Sequence, residues 1–386
     1  MNVKRFLLCL SLFCFLFAGC KKTPDLTCRL TLDGIVLLDE EYSLPSPQFL
    51  FKRKDVTSDF TRSGLAPLEY VRTLNISLAE DIEKCCDDAA RLKVEPEIVY
   101  VGDGKFTYKE GKTGRAASAN EVAALLIQNG GRLVAELPIH DVKPVFSEED
   151  LAKHTQKIST FSSDYSSSSP ERKHNVALAV KKLDNVTVEA GESLSFNETV
   201  GKRTKENGFR EAGVILYGQF TRGVGGGVCQ VSTTLYNAWI SAGLDATGTN
   251  HSLTVSYVPA GLDAMVSETS DLLLTNNGDF PVFLDAACDG KKVTFILYGT
   301  PTGRSISLWS EKIRTLPCDE YEIVEGDEEK ILSYPKNGSV YRSYRDFYKG
   351  DVLVERETLR TSYYNKVKGK KIIPKSFSSV KHVRDE

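Results

Sequence analysis

The sequence predicts an α+β fold in three parts, and three observations predict it. A helix-period stretch at 228–242 follows three consecutive glycines. Ahead of it, between 76 and 157, short helix signals alternate with strand and hairpin signals. Behind it, from about 304, apolar and polar residues alternate between Gly and Asn turns. The chain has 386 residues, 41% hydrophobic and 26% charged, which is ordinary globular composition for two or three domains. Its apolar content argues against extensive disorder. A formal charge of −3 leaves no basic excess, so no nucleic-acid partner is expected.

The N-terminus addresses compartment. Lys4 and Arg5 precede an apolar run from Phe6 to Ala18, too short to be a comfortable permanent membrane span. The run ends in "LFAGC". Ala18 and Gly19 before Cys20 resemble a bacterial lipoprotein signal, with Phe17 where leucine is usual. The resemblance implies a signal peptide over 1–20, lipidation of Cys20 and an extracytoplasmic, membrane-anchored protein. An ordinary secretory signal, with Cys20 a plain thiol, is the alternative. Cys9 and Cys14 lie within the signal. The remaining cysteines, Cys28, Cys85, Cys86, Cys229, Cys288 and Cys318, show no paired zinc spacing, so neither metal nor cofactor is expected. Structural disulfides are the default for several of them, with connectivity unread.

Residues 21–75 carry prolines at 24, 45, 47 and 67 and read as a tether followed by irregular structure. "SLAEDIEKCCDDAARL" places Ser77 and Glu80 at capping-box spacing, ahead of Leu78, Ile82, Cys85, Cys86 and Ala89 on one helical face. "EIVYVGDGKFTYKEGKTG" reads as a hairpin about an Asp-Gly turn. "SANEVAALLIQNG" is a second capped helix from Ser118, "RLVAELPI" a strand, and "SEEDLAKH" a helix opening at Ser147. The serine-rich "SSDYSSSSPERKH" reads as a loop, "NVALAVKKL" as a helix, and "DNVTVEAGESLSFNETVG" as strand and turn. Val214 to Tyr217 should be a strand, with Gly218 and Gln219 turning it back.

The glycine loop "RGVGGGVCQ" then leads into a helix expected from about Cys229 to Ala242, roughly 21 Å long. Val228, Val231, Leu235, Ala238, Trp239 and Ala242 form its apolar stripe, and Gly243 is a natural stop. Cys229 falls in the first turn, where unpaired N–H groups and the helix dipole favour a thiolate. Gly225, Gly226 and Gly227 let a substrate backbone approach and can turn N–H groups toward an oxyanion. The loop lacks a Walker lysine and fails the dinucleotide glycine spacing. A glycine turn feeding a helix with a merely packed cysteine is the competing reading. His251, one of five histidines, follows about twenty residues later. A helix, a tight connection and a returning strand would bring it beside Cys229 as a base. Asp263, Asn250 or a backbone carbonyl would orient its ring.

Four stretches, "SLSFNETVGKRTKENGFREAGVIL", "GVGGGVCQVSTTLYNAWISAGL", "NHSLTVSYVPAGLDAMV" and "DLLLTNNGDFPVFLDA", resemble the VanW domain in order and spacing, with a family-like lead-in at "TFSSDYSSSSPERKHNVALAV". Lys202 stands where proline is commoner, and Leu262 where arginine is commoner. The domain is expected over 158–303. Residues 76–157 resemble the peptidoglycan-binding module that precedes some VanW domains. Residues 304–378 resemble a degenerate five-glycine ("G-five") module, with a plain β extension as the alternative, and 379–386 form a tail.

The VanW name comes from a glycopeptide (vancomycin) resistance cluster, an association that does not establish an activity. The VanW resemblance implies a cysteine L,D-transpeptidase of peptidoglycan stem peptides. Cys229 would be the nucleophile, His251 the proton carrier and Asp263 its orienting group, with the three glycines and the Cys229 N–H at the oxyanion. Gln230 and Ser232 would contact substrate, and Arg172 and Arg203 would hold stem carboxylates, against a reading of both as surface charges. The alternatives are a non-catalytic wall-binding or scaffolding lipoprotein, and a cysteine amidase or peptidase with water as acceptor. Peptidoglycan stem peptides, and the membrane through the Cys20 lipid, are the expected partners. The oligomeric state is open.

Overall fold

A computed structural model describes residues 26–43, 56–216 and 219–374, so the signal expected over 1–20, Cys20 included, and residues 379–386 lie outside the described residues. The architecture is mixed α+β with a β-rich C-terminal part. It divides into two units, one holding residues up to 96 together with 110–147, the other holding 97–109 and 148 onward.

The first unit is built on a sheet of strands Leu26–Leu32, Ile35–Tyr42 and Arg132–Glu136. The segment read as tether and irregular structure is therefore largely ordered. Leu26, Cys28 and Leu30 alternate into the core, and the strand pairs in parallel with Arg132–Glu136, a partner about a hundred residues away. Helices Val56–Ser63 and Pro67–Leu74 follow, the latter starting on proline, which lacks only a donor that a first turn cannot use. The helix Ile76–Ala89 buries Leu78, Ile82, Cys85, Cys86 and Ala89, the stripe the sequence indicated. Its cap differs. Asn75, not Ser77, accepts from the Leu78 N–H at 2.9 Å, so the helix begins two residues earlier. Ser118 caps Ala119–Gln128 as expected.

The hairpin Glu97–Gly102/Lys105–Lys109 turns at Asp103 and Gly104, both with positive φ, and groups with the second unit. There Phe106 packs edge-on to Phe283 (5.1 Å between ring centroids), and the Tyr100 hydroxyl donates to Asp285. The central sheet of that unit is antiparallel, in the order Gln156–Asp164, Lys292–Gly299, Val282–Cys288, Val186–Val188. Val293, Phe295 and Leu297 are fully buried on one face, the period-2 pattern of a half-covered sheet. Much of the serine-rich segment is regular. The first strand runs to Asp164 and helix Pro170–Leu183 starts early, because Ser169 accepts from the Arg172 N–H and Pro170 occupies N1.

Helix Val228–Ser241, the cysteine helix, lies against this sheet with Val228, Val231, Leu235, Ala238 and Trp239 in the core. The ribbon Glu211–Leu216/Gln219–Val224 precedes it. A sheet of Ser305–Leu316, Gly338–Lys349 and Val352–Tyr364 follows, with a smaller one of Tyr321–Gly326, Gly369–Pro374 and Lys330–Ser333. No helix among the described residues is long and apolar enough to cross a membrane.

Candidate active site

The three glycines hold the start of the cysteine helix where no other residue fits. Gly225 and Gly227 have φ of +86° and +109°, conformations that L side chains rarely adopt. A Cβ on Gly226 would lie 2.5 Å from the Gly213 carbonyl oxygen, and one on Gly227 2.9 Å from Arg172 Cγ. Gly227 is the N-cap, so Cys229 is the second residue of the helix. The Val228 and Gln230 N–H groups turn back to the Gly225 and Gly227 carbonyls at 3.2 and 3.0 Å. The Cys229 N–H has no backbone carbonyl partner among the described residues. It is the kind of first-turn donor that accepts an anion.

The helix is buried almost all round, more than its apolar stripe indicates. Its polar face grips the segment that carries Asp263. Asn237 Nδ2 donates to the Leu262 carbonyl at 2.8 Å, and Ser232 Oγ to the Ala264 carbonyl at 2.7 Å. Thr233 Oγ1 accepts from the Ala264 N–H at 2.9 Å. Asp263, 0% exposed, is thus pinned on both sides. Its Oδ2 accepts from the His251 main-chain N–H and from His251 Nδ1–H, each at 2.7 Å. Nε2 is thereby turned away from Asp263, while the Cys229 thiol donates to the Val266 carbonyl at 3.2 Å with His251 beside it. His251 sits on an irregular segment beside the Thr249–Met265 bridge; the returning strand expected from the sequence is absent there. Asn250, weighed as an orienting group, donates to the His251 main-chain carbonyl at 2.7 Å and to the Tyr363 carbonyl at 2.9 Å rather than to the ring.

The charges follow from this geometry. Burial disfavours the imidazolium, but the Asp263 carboxylate and the facing thiolate outweigh it and raise His251 to about 9. Burial pushes the Cys229 thiol up. The His251 hydrogen bond and charge outweigh that, with help from Arg203, and the net direction is down. Burial also works against the Asp263 carboxylate, yet its His251 partner holds it below the ordinary range. Cys229 and His251 open on a cavity of about 910 Å³. Four cations line it, Arg172, Lys202, Arg203 and Arg222, against one carboxylate, Glu268. It therefore favours an anionic ligand.

The other sequence-derived site residues divide. Arg172 reaches the cavity while Nη1 donates to Ser168 and Gln230 at 2.8 and 2.9 Å; Arg203 reaches it with Nη1 on Asn197 Oδ1 at 2.8 Å. Gln230 is 1% exposed, and its amide also donates to Ser163 and the Asp164 carbonyl, so it orients Arg172. Ser232 is fully buried and does not line the cavity; its hydroxyl serves Ala264. Sequence reasoning missed Tyr257, whose hydroxyl lies 3.5 Å from His251 Nε2, and Thr233. Two residues of the C-terminal sheet, Tyr364 and Arg360, also reach Asp263 and went unnoticed. Among the described residues no cluster of His, Cys, Asp or Glu is arranged to hold a metal ion.

Residues 171–298 match the family described as VanW like protein. The chain carries a VanW domain. It is similar to the uncharacterized protein YoaR of Bacillus subtilis (strain 168), 38% identical over 168 residues. Those residues are 43% of this chain and 55% of YoaR, so the chain spans about half the length of that relative. Cys229, His251 and Asp263 all fall within the VanW domain, as do Arg172 and Arg203.

Proposed function

We propose that this protein is a cell-envelope cysteine acyltransferase acting on peptidoglycan stem peptides, an L,D-transpeptidase in reaction type. The observation that carries the reading is Cys229 in a helix first turn, facing a His251 whose other nitrogen is held by buried Asp263. Cys–His–carboxylate sets of this geometry activate a thiolate for attack on carbonyls. The cationic cavity supports an anionic donor such as a stem peptide, with Arg172 and Arg203 taking carboxylates.

In the first half-reaction the Cys229 thiolate attacks the carbonyl carbon after the third stem residue. The C–N bond to D-Ala breaks, and the His251 imidazolium gives its proton to the departing amine. A thioester remains on Cys229. In the second half an amine of a neighbouring stem attacks that carbonyl, His251 takes the amine proton, and the thiolate leaves. The oxyanion of each tetrahedral intermediate would sit against the Cys229 N–H and the glycine turn. Acylation of Cys20, proposed from "LFAGC", would keep this chemistry at the membrane surface, with residues 76–157 holding the wall polymer.

Mass spectrometry of the purified protein incubated with a tetrapeptide-stem muropeptide tests the reading. The expected result is a thioester adduct and a cross-linked dimer, both lost in Cys229→Ser. A shortened stem without a dimer would make the protein a hydrolase, and no adduct would leave a binding protein; either result overturns the transferase reading.

A further inference from the structure

The VanW match ends at residue 298, yet the site's hydrogen bonds continue past it. Asp263 has two carboxylate oxygens. His251 uses Oδ2, and the Tyr364 hydroxyl donates to Oδ1. Tyr364 is 2% exposed, and its oxygen accepts the Gly261 N–H at 2.5 Å, so the ring is held at both partners. On the same strand the Arg360 guanidinium donates to the Asp263 main-chain carbonyl and lies 5.1 Å over the Tyr236 ring of the cysteine helix. The next residue after Tyr364 joins in, since the Asn365 N–H donates to the Ser252 carbonyl at 2.7 Å, one residue beyond His251. A strand away, Arg345 Nη1 donates to the Leu244 carbonyl at 2.8 Å, just past the cysteine helix.

We propose that Tyr364 and Arg360 are positioning residues of the Cys229–His251 site, acting through Asp263, so that the working site of this chain includes the C-terminal sheet beyond its VanW domain. The physical argument concerns a buried carboxylate. Each of its oxygens must find a donor or the anion becomes costly. Oδ1 has no route to solvent, because Asp263 is 0% exposed. The Tyr364 hydroxyl supplies that donor and fixes the plane of the carboxylate so that Oδ2 meets both His251 N–H groups. Without it the neutral carboxyl is favoured, and a neutral carboxyl no longer stabilises the imidazolium. The groups facing His251 are then Cys229, Tyr257 and a weakened Asp263, with Arg172 and Arg203 nearby. A tyrosine that only filled core space would leave the His251 titration alone.

The consequence for turnover rests on the acyltransfer reading, whereas the geometry does not, and the test separates them. The His251 ring nitrogens are followed by 15N NMR across pH in the full chain, for wild type, Y364F, D263N and the double variant. Wild type should show Nδ1 protonated and a midpoint well above 6.5. In Y364F the midpoint should fall by about one pH unit toward the D263N value, a tenfold change in proton affinity. The double variant should match D263N alone, because Tyr364 acts through Asp263. An unchanged midpoint in Y364F overturns the proposal, as does an additive shift in the double variant. If Y364F does not fold, Arg360→Lys takes its place, keeping the charge but losing the planar fork. Its midpoint should move the same way, and an unchanged one overturns the proposal. If the wild type forms no adduct with the muropeptide while these midpoints move as stated, the transferase reading fails and the positioning roles stand.

Discussion

Two regions of this protein hold cysteines on helices inside apolar cores, and they use the same side chain in opposite ways. In the first unit Cys85 and Cys86 lie near the end of helix Ile76–Ala89, with Cys28 on the neighbouring strand Leu26–Leu32, all three buried in one core. Burial pushes Cys28 up to about 12 and Cys86 to about 11, with Asp81, Asp87 and the other thiols adding to the effect. In the second unit Cys229 is at the opposite end of its helix, with His251 facing it, and its thiol moves down despite burial. Burial alone makes a thiol inert. A charged partner, and a place among first-turn N–H groups, reverse the sign.

Alkylation breaks or sharpens that comparison most directly, and here the largest effect is expected. At pH 7 a thiol titrating near 11 is thiolate in about one molecule in ten thousand, against about one in a hundred for an ordinary thiol near 9. Cys229, shifted below the ordinary value, should react with iodoacetamide at least about a hundredfold faster than Cys86 or Cys28. Peptide mapping after timed quenching reads the three rates in one sample. Comparable rates at Cys229 and Cys86 would end the distinction.

The next effect isolates the partner. His251→Ala removes the imidazolium while leaving the helix start intact. Cys229 alkylation near pH 7 should slow about tenfold or more, and the difference should narrow as pH rises and the unaided thiol begins to ionise. The sign in the wild type follows from His251 being raised to about 9. The imidazolium, and with it proton donation to the departing amine, persists at neutral pH and is lost as pH rises through about 9. Acyl transfer should therefore decline above about 9 while alkylation does not. A transfer rate that kept rising past pH 10 would remove His251 as the acid.

What was legible in the sequence follows the range of the interactions involved. The cysteine helix, its glycine start and its stop at Gly243 are local, set by spacing of three and four and by φ values that only glycine takes readily. Cys229, His251 and Asp263 were reachable because chemistry pairs those side-chain types. The grip of Asn237, Ser232 and Thr233 on residues 262–264 was hidden, since buried polar residues read as a solvated face until their carbonyl partners are seen. Tyr364 lies 101 residues from Asp263 and has no periodic signature. The strand Leu26–Leu32 was obscured in the same way, because its parallel partner is far along the chain and prolines surround it. The Asn75 cap shows a subtler limit: the capping-box spacing pointed to Ser77, yet Asn75, another capping residue two positions earlier, takes the role.

The smallest expected effect is on stability, and it tests whether the two regions differ in purpose as well as in pKa. Cys28 is 1% exposed, and its neighbours are the apolar residues of the first core. Replacing its sulfur with a hydroxyl buries a polar group in that surrounding, which costs about 1–3 kcal/mol when no partner is found. Cys229 is half-buried at the wall of the cavity, and its Sγ already lies 3.2 Å from the Val266 carbonyl, with His251 beside it. A serine hydroxyl there can donate to the carbonyl or meet the imidazole, so Cys229→Ser should cost less than about 1 kcal/mol. Urea unfolding followed by circular dichroism measures both, with the second unit's own transition read separately if the two units unfold apart. The pairing matters more than either value. A nearly neutral Cys229→Ser that abolishes the thioester, beside a destabilising Cys28→Ser that leaves it intact, marks one sulfur as chemistry and the other as packing. The reverse order of costs would make Cys229 a core residue that happens to face a histidine.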